Sequence, residues 1–274
     1  MAYNTAYDLD ALMVNTKAAT VYAAQESSLF LGGMVIPSIA LPAGSVTAQV
    51  PVMGAVTAAK LTSASHDATD FDALGVAATK KTITANIYAA RDVVRDLGGI
   101  DPNELGRVLG NSVAAAFDKD VVAAMSGLTA SADTGTLGVD DIFDAVAQIR
   151  GAGEMGQLFG IVSPAAAAEL MKAIGSQAYA GGAAQNEAMA NGFVGKLGGV
   201  TFYQSAYATA AVSGVTGFKG AIFGIDALRI AMFRNVDLEV QRRVAAVGND
   251  IVASLHAGVG VIDATRGVKL VDAA

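Results

Sequence analysis

Asp101 to Gly127, DPNELGRVLGNSVAAAFDKDVVAAMSG, carries the strongest helix signal in the chain. Asp101 is placed to accept from first-turn amides, Pro102 has its φ set for a first helical position, and Glu104 can reach back as a capping box. Leu105, Val108, Leu109, Val113, Ala116, Phe117, Val121, Ala124 and Met125 then recur three and four apart, which is one apolar stripe along a helix. Gly127 stands where a left-handed stop is expected. At about 1.5 Å per residue the helix runs to roughly 37 Å. It reads as the only long, well-capped helix, with β-type sequence on both sides, and hence as a spine.

Upstream, Val46, Ala48, Val50 and Val52 alternate with Thr47, Gln49 and Pro51, a period of two that predicts a strand. Pro51 cannot donate to a ladder, so the strand belongs at an edge or in an isolated ribbon. The stretch after Lys60 is small-residued and acidic, with Asp67, Asp70 and Asp72 around Phe71, and reads as an exposed tip. Thr82 to Ala89 alternates again and predicts the returning strand, so residues 44–90 make a two-stranded projection. An isolated hairpin is marginal in water and needs something to lie on. Residues 1–35 predict a short helix around Val21 to Leu31 that stops at Gly32-Gly33 and lies on another part of the molecule or on a neighbour.

Downstream, residues 129–138 read as a loop, and a helix follows with Ile142, Phe143, Val146 and Ile149 on one side. LFGIV (158–162) predicts a buried strand, and Ser163-Pro164 starts a third helix ending at Gly175. Residues 176–192 read as a loose loop, and 198–205 and 221–225 as short strands, giving an α/β module over about 130–230. Val236, Leu238 and Val240 open a strand, Gly248-Asn249-Asp250 a turn, and Ile251 to Asp263 a long strand. Thr265-Arg266-Gly267 predicts a tight hairpin into Val268–Val271, with the spine covering these strands.

Composition narrows the function. The apolar share is 53% and the charged share 16%, against about 25% for ordinary chains. The long uncharged runs, Ser27 to Ala59 and Leu197 to Phe218, are broken by Pro, Gly and polar residues and do not resemble about 20 consecutive apolar residues. A chain so poor in charge either hides surface against partners or carries a plain Ala- and Gly-rich composition bias. With no cysteine there is neither a disulfide nor a thiolate metal site, and no basic n-region or glycosylation acceptor points to secretion. A net charge of −7 argues against a dedicated nucleic-acid grip.

No catalytic constellation is legible. GAGEMG (151–156) matches G-x-G-x-x-G, but it follows a helix and precedes a strand, the reverse of the dinucleotide fingerprint. His66 and His256 stand alone, and the Asp67–Asp72 tip lacks the glycine turn and terminal Glu of a calcium loop. No catalytic, cofactor or metal residue is assigned. Arg242 and Arg243, with Arg229 and Arg234, form the clearest basic cluster. They are either surface balance or the partner of Asp67, Asp70 and Asp72, around Phe71, on another subunit.

The order of parts resembles the Hong Kong 97-like major capsid proteins of tailed double-stranded DNA bacteriophages (Caudoviricetes). The stretches that carry the resemblance are TKKTITANIYAARDVVRDLGGIDPNELGRVLGNSVAAAFDKDVVAAMSG, VGKLGGVTFYQS and VGNDIVASLHAGVGVIDATRGVKLV. The resemblance implies an α+β fold with an N-terminal arm (1–35), an extended loop (36–81), a peripheral domain with the spine helix (82–129 and 231–274) and an apical domain (130–230). It implies a non-enzymatic virion subunit, assembled in the host cytoplasm into hexamers and pentamers of an icosahedral shell, with the ribbon lying across a neighbour. Implied partners are copies of itself, a separate scaffolding protein, a portal, in some members a cement protein, and packaged DNA held without sequence specificity; no membrane is involved. Nothing marks a partner for Lys60, Lys80 or Lys81, so no covalent crosslink is expected. Rival readings are an encapsulin-type compartment of the same fold, a small α/β enzyme in residues 130–230, and a tail or adhesion β protein, which leaves the spine unexplained.

Overall fold

The computed structural model describes residues 5–33, 35–41, 44–54, 58, 60, 75–95, 102–130, 135–176, 195–209, 211, 212 and 214–272. In chain order the elements are α1 (Thr5–Ser27), β1 (Ser38–Ala40), β2 (Thr47–Met53), β3 (Ala78–Thr84), β4 (Asn86–Arg95) and α2 (Pro102–Ala124). Then come β5 (Thr129–Ala130), α3 (Val139–Gly151), β6 (Leu158–Val162), α4 (Pro164–Ser176), β7 (Lys196–Leu197) and β8 (Val200–Gln204). The chain closes with β9 (Ala211–Val212), β10 (Val215–Thr216), β11 (Phe218–Gly224), β12 (Leu228–Arg243), β13 (Gly248–Val261) and β14 (Gly267–Val271).

Two sheets meet along α2. The first has the order β1-β12-β13-β4 and the second β5-β14-β11-β6-β8-β7. Leu105, Leu109, Val113, Phe117 and Val121 of α2 pack on Val236, Leu238, Ile251, Ala253 and Leu255 of the first sheet. The C-terminal end of the same core takes in Phe159, Ile161, Ala221 and Phe223 from one face of the second sheet. Its other face, Leu158, Val162, Val200, Phe202, Ile222, Val268 and Leu270, packs on Ile142 and Ile149 of α3 and Ala167 and Leu170 of α4. Covered on both faces, β6 is buried at all five positions, which is why its sequence shows no alternation.

Several expectations are corrected. α2 is not the only long helix, because α1 also has 23 residues. Within the stripe, Val108 and Ala116 face outward, and Ala114 and Val122 are buried in their place. α2 does not stop at a left-handed glycine: it tightens into a 3-10 turn over Met125–Gly127, and Leu128 leaves extended. Asp101, its expected cap, lies outside the described residues, as does most of the 176–192 loop. The turn between β12 and β13 is Val244–Ala246, closed by Val247 in the left-handed region at φ 47°, and Gly248-Asn249-Asp250 already belongs to β13.

The expected C-terminal hairpin is a crossover. Residues Ala264–Arg266 form a 3-10 turn, and β14 then pairs antiparallel with β11 and parallel with β5 in the second sheet, not with β13. The returning strand also divides: β3 pairs with β2 as a two-stranded ribbon, the chain bends at Ala85, and β4 pairs with β13.

Candidate assembly surfaces

The surfaces by which this apolar chain meets its surroundings begin at α1. α1 has no apolar stripe; its Ala-rich, Gly- and Pro-free sequence holds a helix by propensity. It lies against α2 through small residues. A Cβ on Gly106 would stand 2.7 Å from the Thr16 carbonyl oxygen, and one on Gly110 would stand 2.3 Å from that of Thr20. Thr16, Thr20 and Ala24 are four apart and buried, and the Thr20 hydroxyl donates to the Thr16 carbonyl at 2.7 Å. Lys17 ties the same helix to Asp237 of β12 at 2.5 Å.

At the end of α1 the chain is held by a buried carboxylate. Asp118, 4% exposed, accepts from the Ser28 hydroxyl at 2.6 Å and the Leu29 amide at 3.2 Å. The Ser28 oxygen in turn accepts from the amides of Phe30 and Leu31. Burial pushes the Asp118 pKa up to about 6, opposed by the Ser28 and Leu29 hydrogen bonds. Because the folded form binds this proton more tightly than the unfolded chain, the contribution is full below about pH 4 and is lost as pH rises through about 6. The stability difference between the unassembled chain and Asp118→Asn therefore shifts by roughly 3 kcal/mol between pH 4 and pH 7 in urea titrations. A pH-independent difference would contradict this account of Asp118.

The ribbon crosses the first sheet on the face away from α2. Ala48 and Ile83 are buried with Leu41, Ala231 and Ile262, while most other ribbon side chains are exposed. Two glycines of β13 make the crossing possible. A Cβ on Gly258 would stand 2.1 Å from the Thr84 carbonyl oxygen, and one on Gly260 would stand 2.8 Å from Cγ1 of Ile83.

Beyond the crossing the sheet face is uncovered among the described residues. Val46 and Ile87, each 69% exposed, stand near Phe233, whose ring stacks on His256 at 6.0 Å. β4 is the outer strand of its sheet, and the Asp92 carboxylate accepts from the amide of Val93 at 2.8 Å, occupying one edge donor. The Tyr88 hydroxyl donates to Asp120 at 2.7 Å and its ring meets Phe117 edge-on. Burial first, then the Asp120 carboxylate, pushes that phenol above its usual range.

The expected basic cluster is not one cluster. Arg229 and Arg242 lie thirteen positions apart on β12, about 43 Å at 3.3 Å per residue. Arg229 pairs with Asp226, and Arg234 with Asp237 and Glu239. Arg242 and Arg243 stand at the far end, in register with Asn249 and Gly248, beside exposed Val244 and Val247. Asp67, Asp70, Phe71, Asp72 and His66 lie outside the described residues. The GAGEMG string follows α3 and precedes β6, and buries Glu154, which no sequence signal marked. No group of three or more potential metal ligands occurs among the described residues, and no described helix is long and apolar enough to cross a membrane.

No family model and no curated protein matches the sequence. Solved structures do match. The capsid of cyanophage P-SCSP1u is 16% identical, with a TM-score of 0.63 over 87% of this chain and 86% of that one. The chain has a phage capsid fold. The mature capsid of bacteriophage PhiM1 is similar at 17% identity and TM-score 0.65, covering 89% of this chain and 88% of that one. A virus-like particle from Pyrococcus furiosus matches at 12% identity and TM-score 0.64, over 94% of this chain and 98% of that one. These neighbours are capsid and particle proteins rather than enzymes, and this capsid fold is a mixed helix and strand architecture.

Proposed function

We propose that the chain is a major capsid protein that tiles with copies of itself, as hexamers and pentamers, into an icosahedral phage head around double-stranded DNA. The observation that carries this reading is the end-to-end likeness to capsid subunits, spanning nearly nine-tenths of both chains in the PhiM1 case. In this reading α2 is the spine helix, residues 1–35 the arm, 36–81 the extended loop, 82–129 and 231–274 the peripheral domain, and 130–230 the apical domain to which β14 lends a strand. The exposed Val46, Ile87 and Phe233 and the ribbon meet neighbouring copies, whose many modest contacts sum to a large obligate interface. An acidic chain lets DNA slide rather than stick. No catalysis is involved. A separate scaffolding protein and a portal are partners in a head built in the host cytoplasm and ending in the virion. Nucleic acid inside purified shells supports this reading. The likeness to the Pyrococcus furiosus particle favours a second one, a compartment enclosing protein cargo, for which protein would co-purify instead.

Arg242 and Arg243 of one copy face the acidic Asp67, Asp70 and Asp72 tip, around Phe71, of another. Arg243→Glu or Asp70→Lys alone lowers the yield of assembled particles about tenfold, since a pair contributing about 0.5 kcal/mol recurs at every subunit. The double reversal restores assembly. Failure of rescue, read by sedimentation, contradicts the pairing.

A further inference from the structure

The GAGEMG string has a use other than phosphate binding. Gly153 turns the chain at φ +90°, and Glu154 is directed into the body, with its side chain 5% exposed. Its seat is shaped by two glycines: a Cβ on Gly224 would stand 2.6 Å from Cγ of Glu154, and one on Gly156 would stand 2.7 Å from Oε1. Oε1 accepts from the Gly156 amide at 2.8 Å, and Arg150 donates to the Glu154 and Gly156 carbonyls, fixing the loop. Oε2 faces Nη1 of Arg266 at 3.1 Å.

From Arg266 the charges run on in a line. Its Nη1 is 3.5 Å from Oδ2 of Asp226, its Nε is 3.2 Å from Oδ2 of Asp263, and Oδ1 of Asp226 is 2.6 Å from Nη2 of Arg229. Glu154 leads into β6 of the second sheet and Arg229 lies on β12 of the first. Asp226 and Arg266 sit in the two connections that carry the chain between the sheets, and the amides of Ile262 and Asp263 donate to the Ala227 carbonyl, tying those connections side by side. The same junction is also filled by the shared apolar core around Phe223, Leu228 and Leu128. A packed core resists separation but is non-directional, whereas the planar Arg266 guanidinium, held by Glu154, Asp226 and Asp263 at once, fixes an orientation.

We propose that the Glu154–Arg266–Asp226–Arg229 line of ion pairs is a clasp that sets the angle between the two sheets and, through that angle, the curvature at which copies tile. The curvature half rests on the shell reading; the angle within one copy does not.

The chain lacks cysteine, so spin labels placed at Arg107→Cys on α2 and Lys172→Cys on α4 report the distance between the helix packed on the first sheet and the helix packed on the second in the unassembled protein. Introducing Arg266→Gln is expected to broaden that distance distribution at least about twofold and to turn shells of one diameter into a mixture. Where Arg266→Gln fails to fold, Asp226→Asn removes the middle of the line at a half-exposed carboxylate and is read the same way. A distribution as narrow as the parent's, with only the melting temperature lowered, reduces the cluster to ordinary stabilisation and overturns the clasp. A broadened distribution with shells of one unchanged diameter overturns the link to curvature. If the parent makes no shells, the capsid reading fails by itself, and the label distances still decide the clasp.

Discussion

Replacing Gly110 by leucine detaches the N-terminal helix from α2 while leaving the rest of the chain folded. The obstruction is backbone, not a flexible side chain: the added Cβ would stand 2.3 Å from the Thr20 carbonyl oxygen and 3.1 Å from its carbon. α1 cannot yield locally, because Thr16, Thr20 and Ala24 meet α2 along one continuous line and Ser28, four residues further on, is anchored to Asp118. Overpacking of this kind costs about 3 kcal/mol or more where the neighbour cannot move. Trypsin cleavage after Lys17 should then accelerate on the order of 100-fold, at 1.4 kcal/mol per tenfold. Gly106→Leu acts in the same direction. An unchanged cleavage rate with an unchanged melting curve would contradict the close-packed helix pair. In the capsid reading, the detached arm also abolishes particle formation.

Gly258→Val is the second large effect, because it releases the ribbon. Here too the clash is with main chain, 2.1 Å from the Thr84 carbonyl oxygen and 2.8 Å from its carbon. Ile83, the ribbon's buried anchor, lies one residue away and already fills the space beside Gly260. A ribbon lifted off the sheet loses the small cluster of Leu41, Ala48, Ala231 and Ile262 and becomes a lone hairpin, which is marginal in water. Hydrogen exchange should show the amides of Thr79 to Thr84 losing protection about 100-fold while those of α2 keep theirs, as expected for separate local openings. Equal protection of β3 in parent and variant would contradict the crossing.

What the sequence made legible was whatever large side chains or punctuation announce. The Leu105–Met125 stripe, the Ser163-Pro164 start, where the Ser163 hydroxyl oxygen accepts from the Ala166 amide at 3.1 Å, and the ribbon alternation are all found as elements. What escaped rests on small residues or on distant pairing. Thr16, Thr20 and Ala24 against Gly106 and Gly110 carry no hydrophobic signal, so α1 read as a short helix. Gly258 and Gly260 lie inside the stretch read as one long strand and nothing singled them out, though the ribbon requires both. β14 read as a hairpin partner because Thr265-Arg266-Gly267 has hairpin chemistry, but Gly267 is extended and the strand's apolar Val268 and Leu270 complete the core under α3. Glu154 was hidden by a motif with a better-known use.

Electron microscopy of the purified chain, negatively stained across a range of salt and protein concentration, decides whether copies of the chain close into shells. Closed shells of uniform diameter are the predicted result. Solitary particles under every condition, with no closed shells, would contradict it.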